Sequence, residues 1–184
     1  RILRGWADRR YFVGVKFGTV GALKDDHLLE ITTFREDVYV EEHRKPTVTF
    51  GKDLATDLSR RDFTINAMAV KLPDGTFVDP FEGVKALGAH VLDTPLEPET
   101  SFGDDPLRML RAARFVAQLD VTPTERVVAA LRAMVSRLEI VAPERLQGEL
   151  DRLLLADHVA KGLALLVGSG LADVFLPEVP ALRL

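Results

Sequence analysis

Apolar positions change their spacing partway along this chain of 184 residues. Up to about Gly83 they fall in short runs rich in β-branched and aromatic side chains. "FGTVGAL" and "LLEITTF" lie on either side of "KDDH", which predicts a β-hairpin. "NAMAVKL" and "TFVDP" flank "PDG", a turn whose proline, aspartate and glycine suit a bulged hairpin. Between the two, "KDLATDLSRRD" sets Leu54 and Leu58 at i, i+4 and predicts a short helix. The opening "RILRGWADRR" reads as the end of a helix entered midway.

Beyond Gly83 the period becomes helical. "DDPLRMLRAARFVAQL" predicts a long helix with Asp104 as N-cap and Pro106 in the first turn. "TPTERVVAALRAMVSRL" sets Thr122 and Glu125 as a capping box around Pro123. "APERLQGELDRLLLA" and "DHVAKGLALLVGSG" predict two further helices, and "GLADVFLPEV" a last short one. The expectation is an α+β chain: a β-rich part over residues 1–83, then an all-α part over 84–184 that opens on a linker containing "LDTPLEPET".

Composition narrows the options. Apolar residues make up 47% of the chain, enough for a packed core. No apolar run reaches the roughly 18–20 residues of a membrane span, and no basic-then-apolar signal pattern is visible. Cysteine is absent, which excludes disulfides and thiolate metal sites from these residues and fits a reducing compartment. The net charge is −4, so a nucleic-acid partner needs a local basic patch. The chain starts without methionine and stops directly after a helical pattern, which leads us to expect a piece of a longer protein.

Charge is concentrated in two places. Asp105, Arg108, Arg111 and Arg114 are spaced by three. At about 100° per residue they form a slanting stripe on one side of a helix. A carboxylate beside a guanidinium matches a nucleobase edge that offers a donor beside an acceptor, and further arginines suit phosphate or ribose oxygens. The stripe also fits a solvated face of i, i+3 ion pairs. The second place is "SRRDFTINAMAV", where Arg60, Arg61 and Asp62 precede an apolar run. Cations after a helix and an aspartate in a turn need no ligand to explain them, but two Asp/Arg clusters in one chain suggest a common anionic target. Glu30 lies inside a β-prone run, where a strand carboxylate can hold a divalent cation or simply face outward. His27, His43, His90 and His158 have no metal-ligand spacing and read as surface or turn residues.

In order and spacing, "RRDFTINAMAV", "DPFEG", "DDPLRMLRAARF" and "PERLQGEL" resemble the second to fifth motifs of the class II tRNA nucleotidyltransferases, the CCA-adding enzymes, with bacterial poly(A) polymerases as near relatives. The resemblance implies a partial β-sheet nucleotidyltransferase head followed by a helical neck and body. It implies a cytoplasmic enzyme that adds C, C and A to tRNA 3′ ends from CTP and ATP with Mg²⁺. Under it, Arg61 contacts the incoming nucleotide and Asp62 its ribose. Asp105 and Arg108 read the base, Arg111 and Arg114 continue the row, and Glu30 is the third carboxylate of the catalytic metal site. The "ERLQGEL" stretch is a support for neighbouring helices. The family's glycine-rich turn and Asp-x-Asp strand are expected before residue 1 and its tRNA-gripping tail after residue 184. Without that Asp-x-Asp, Glu30 alone cannot build a two-metal site, and these residues by themselves are expected to be inactive. Asp104 stands where the family has glutamate, Ala86 where aspartate is usual and Glu82 where glycine is common. Poly(A) polymerase and a non-catalytic nucleotide- or RNA-binding module remain the alternatives.

Overall fold

The computed structural model describes residues 3–12, 15, 18–38, 47–51 and 53–181. The architecture is α+β, in two compact units, Arg1–Asp57 and Leu58–Leu184. Arg1, Ile2 and His43 of the sequence reading, and residues 182–184, lie outside the described residues.

The first unit is β-rich. Strands β1 (Arg9–Tyr11), β2 (Thr19–Lys24) and β3 (His27–Thr32) form an antiparallel sheet in that order. The expected hairpin is β2–β3, with Lys24 opposite His27. Its two connecting residues, Asp25 and Asp26, both take positive φ, 47° and 61°. A two-residue turn of that kind follows the right-handed twist of the strands, and aspartate tolerates the conformation. Asp8 secures the turn by accepting from the Asp25 amide at 2.9 Å. The opening segment departs from expectation: Leu3–Trp6 forms turns and the chain then enters β1, so no helix runs out of it. Strands β4 (Arg35–Val38) and β5 (Thr47–Phe50) make a separate antiparallel pair.

Helix α1 (Leu54–Ser59) straddles the division between the units. Asp53 caps it, accepting from the Thr56 amide at 2.8 Å and the Thr56 hydroxyl at 2.7 Å. The second unit begins with a 3-10 turn at Thr64–Asn66 and the expected hairpin of β6 (Ala69–Val70) with β7 (Phe77–Val78). The "DPFEG" segment then starts α2 (Gly83–Gly88), with both oxygens of Asp79 accepting from the first two helix amides, at 2.7 and 3.0 Å. Any side chain at Gly83 would lie 2.4 Å from the Thr64 carbonyl, so only glycine lets α2 approach the 3-10 turn.

Strand β8 (Val91–Leu92) pairs in parallel with β9 (Thr122–Pro123), and the helices are α3 (Pro98–Asp104), α4 (Leu107–Leu119), α5 (Glu125–Ala133), α6 (Pro143–Leu154), α7 (Val159–Ser169), α8 (Leu171–Phe175) and α9 (Glu178–Ala181). Nine positions of α4 between Leu107 and Ala117 are buried, because α6 and α7 pack on it. A Cβ on Gly162 of α7 would come within 2.8 Å of the Ala113 carbonyl, so this close crossing depends on glycine facing Ala113 and Ala117.

Two caps differ from expectation. Asp104 closes α3 rather than opening α4. Asp105 precedes proline and is driven into extended backbone (φ −143°, ψ 99°), so α4 starts at Leu107, and a separate helix, α3, occupies the end of the expected linker. The N-cap of α5 is Thr124, not Thr122, because Thr122 is drawn into the β8–β9 pair. The Thr124 hydroxyl is turned instead to Asp93, at 3.0 Å. The last predicted helix is two short ones, α8 and α9. The segment Leu58–Gly83, grouped by its β pattern with the first part of the chain, packs in the same compact unit as the helices.

Candidate functional site

The charges of "RRDF" are held beside an apolar run because Phe63 anchors them. Phe63 is fully buried and meets Phe115 of α4 edge to face, with ring centroids 5.6 Å apart. The Thr64 amide donates to the Asp93 carbonyl at 2.8 Å, tying the same turn to the chain beyond β8. These contacts carry Arg60, Arg61 and Asp62 to the N-terminal half of α4. The resulting cavity, about 480 Å³, is lined by Arg60, Arg61, Asp62, Asn66, Asp105, Arg108, Arg111 and Phe115. It lies wholly within the second unit.

The carboxylate of Asp62 is buried. Its Oδ1 accepts from the Phe63 amide at 2.9 Å and from Asn66 Nδ2 at 3.0 Å. Its Oδ2 lies 2.6 Å from Arg111 Nη2. Asp62 Oδ2 is thus met by the Arg111 ion pair, while Arg111 Nε is buried with no hydrogen-bond partner among the described residues. A buried donor left in this way costs free energy, on the order of 1–3 kcal/mol, unless something else satisfies it.

Arg108 is fixed at three points: Nη1 donates to the Ser101 hydroxyl at 2.9 Å and the Ser101 carbonyl at 3.3 Å, and Nη2 donates to the Arg60 carbonyl at 2.6 Å. Its Nε–H has no protein acceptor among the described residues. Asp105 accepts from the Leu107 amide at Oδ1 (3.3 Å) and from Arg145 of α6 at Oδ2 (2.8 Å). Arg114 is placed differently from the rest of the row. It is buried, donates to Glu149 of α6 at 2.5 Å and Gln118 at 2.6 Å, and stacks 4.0 Å from the centroid of Phe115. It meets the cavity only through that ring.

Each of the three arginines in the row has its own acceptor: Ser101 and Arg60, Asp62, or Glu149. Asn66, Ser101, Phe115 and Arg145 also belong to the site or its frame and were not anticipated as such. Asn66 follows Asp62 by four residues, and Arg145 lies in the "PERLQGEL" motif, but nothing local in the sequence says which atoms they reach.

Glu30 is exposed on β3, opposite Gly21 of β2, in the first unit. No group of three His, Asp or Glu side chains among the described residues is arranged to hold a metal ion. Glu30 offers one carboxylate, and Mg²⁺ is ordinarily held by one or two carboxylates together with waters and substrate phosphates. The histidines do local work: His27 Nδ1 contacts the Asp25 carbonyl at 2.7 Å, and His90 Nδ1 the Asp120 carbonyl at 3.1 Å.

A family model described as the poly(A) polymerase head domain matches residues 1–93, and one described as the probable RNA- and SrmB-binding site of polymerase A matches 120–182. The chain belongs to the poly(A) polymerase head-domain family. Within that family, a CCA-adding enzyme of Anoxybacillus flavithermus is 40% identical over 168 residues, covering 91% of this chain and 42% of that protein. A CCA-adding enzyme of Limosilactobacillus fermentum is 42% identical over 159 residues, covering 86% of this chain and 40% of that protein. This member of the poly(A) polymerase head-domain family therefore spans about two fifths of the length of such curated relatives. Among solved structures, the Bacillus stearothermophilus CCA-adding enzyme in complex with CTP superposes with a TM-score of 0.85 at 34% identity, over 96% of this chain and 43% of that one. A tRNA nucleotidyltransferase complexed with a primer tRNA and an incoming ATP analog gives a TM-score of 0.73 at 30% identity, over 91% of this chain and 47% of that one.

Proposed function

We propose that the cavity between the "RRDF" turn and α4 selects the incoming nucleotide for a tRNA nucleotidyltransferase that adds CCA from CTP and ATP. The observation that carries this reading is the convergence of Arg61, Asp62, Asp105, Arg108 and Arg111 on one polar cavity. Asp105 supplies a carboxylate acceptor and Arg108 a donor. Cytosine and adenine both offer an exocyclic amine donor next to a ring-nitrogen acceptor on the pairing edge, which suits that pair. Uracil and guanine present the opposite order. Asp62 Oδ2 suits a ribose hydroxyl, and Arg61 with Arg111 Nε suits anionic oxygens. Arg114 supports the wall through Phe115. The enzyme transfers a nucleotidyl group to the tRNA 3′-OH with release of pyrophosphate.

Mg²⁺ serves as the cofactor in this reading, with Glu30 as one carboxylate ligand beside carboxylates that the resemblance places outside these residues. A cytoplasmic location suits a tRNA substrate and the absence of cysteine from these residues. No helix among the described residues is long and apolar enough to cross a membrane. The description of the matched family model favours poly(A) polymerase as the second reading. CTP binding separates the two.

The test is equilibrium binding of all four ribonucleoside triphosphates to the full-length protein. CTP and ATP are expected to bind in preference to UTP and GTP. Arg108→Ala is expected to weaken CTP and ATP by about 1–3 kcal/mol, the scale of one bidentate base contact. Equal affinity for GTP and CTP in the unmodified protein would falsify the base-reading role, and selective ATP binding would move the assignment to poly(A) polymerase.

A further inference from the structure

We propose that Ser101 and Arg145 are positioning residues that hold Asp105 and Arg108 in one register and thereby set which bases the site accepts. The inference rests on the base-reading role proposed above and extends it to two residues that do not line the cavity.

Selecting a base by hydrogen bonds requires an acceptor and a donor at a fixed separation. Neither Asp105 nor Arg108 secures this alone. Asp105 lies outside both helices, in the extended break between α3 and α4. Arg108 carries its guanidinium on a long flexible stem. Ser101 joins them. Its carbonyl accepts from the Asp105 amide at 3.3 Å and from Arg108 Nη1 at 3.3 Å, and its hydroxyl meets the same Nη1 at 2.9 Å. Ser101 is itself 2% exposed, so the shared anchor is rigid.

Arg145 acts from the opposite side. Its Nη2 bonds Asp105 Oδ2 at 2.8 Å while the Leu107 amide takes Oδ1 at 3.3 Å. With one bond on each oxygen the carboxylate plane is set, and each oxygen keeps acceptor capacity for an exocyclic amine. Arg108, with Nη1 committed to Ser101 and Nη2 bonded to the Arg60 carbonyl, keeps its Nε–H and the second Nη2 hydrogen for a ring nitrogen. Loosening either anchor lets the pair rotate and meet the reversed edges of uracil and guanine.

The experiment is steady-state nucleotide addition to tRNA by the full-length protein, comparing kcat/KM for CTP over UTP and ATP over GTP. Ser101→Ala and Arg145→Gln are each expected to lower these ratios by about tenfold, through a raised KM for CTP and ATP with the KM for tRNA unchanged. Arg145→Lys should restore part of the selectivity. Unchanged ratios in both variants overturn the proposal, as does an equal loss on all four nucleotides, which marks structural support only. If Ser101→Ala lowers the melting temperature, Arg145→Gln decides, because that side chain is half exposed. If the unmodified protein itself shows no base preference, the proposed function fails and this inference with it. Preference retained in the unmodified protein and in both variants removes the positioning role alone.

Discussion

At the residue scale the site is governed by which charges are shared and which are not. Arg114 and Glu149 illustrate a pair that is fully shared: both are buried and 2.5 Å apart, with Gln118 and Arg152 completing the arrangement. A buried pair of this kind is worth little against a well-packed apolar substitute, but removing one member strands the other charge in the interior. Glu149→Ala is therefore expected to destabilise the protein by about 3–5 kcal/mol, read as a shifted midpoint in urea denaturation. An unchanged midpoint contradicts the buried pairing. Asp62 and Arg111 differ: carboxylate and guanidinium meet at 2.6 Å, but Arg111 Nε stays buried without a hydrogen-bond partner among the described residues. That contrast separates the structural arginine of the row from the ones facing the cavity. The residue types along the row were legible in the sequence; their different partners were not, because helical spacing gives direction but not what lies opposite.

At the scale of elements, the decisive event is the break at Asp105–Pro106. Helical periodicity continues across it, so the pattern predicts one helix from Asp104, yet proline bars the preceding residue from helical backbone. The break turns Asp105 out to reach Arg145. At the other end of α4, Asp120 adopts positive φ (53°), and Lys161 of α7 hydrogen-bonds its carboxylate. That bond, aided by the nearby charges of His158 and His90, holds the Asp120 carboxyl below its ordinary 3.8. The sign follows: the folded state favours the ionised form, so the contribution is full above about pH 4 and is lost as pH falls through the lower folded-state value. Asp120→Asn keeps a residue tolerant of this backbone. Its melting temperature is expected to fall below that of the unmodified protein at pH 7 and to converge with it in acid. A gap that persists at the lowest pH argues against the ion pair.

At the scale of the molecule, the change of period at Gly83 and the division between compact units at Leu58 are different boundaries. The hairpin and turn from Leu58 to Gly83 are β-like in local pattern, but Phe63 inserts against Phe115 and the Thr64 amide reaches Asp93. Both clusters of charge consequently belong to one packed unit, and the cavity is complete within it. Nucleotide binding should then stabilise that unit by mass action, by about 2.7 kcal/mol at a ligand concentration 100 times Kd. A calorimetric scan with CTP is expected to show the upward shift in Tm; no shift at saturating CTP counts against the pocket.

Local chemistry sufficed for the two hairpins β2–β3 and β6–β7, for the short α1 and the main C-terminal helices, for the aspartates and arginines worth attention and for the family resemblance, since periodicity, turn residues and motif spacing are written in consecutive residues. Tertiary packing alone decided that Arg114 is a buried support, that Ser101 and Arg145 hold Asp105 and Arg108, and that the "RRDF" turn joins the helical unit. Those outcomes depend on contacts between residues 7 to 52 positions apart along the chain, and sequence spacing carries no record of such distances.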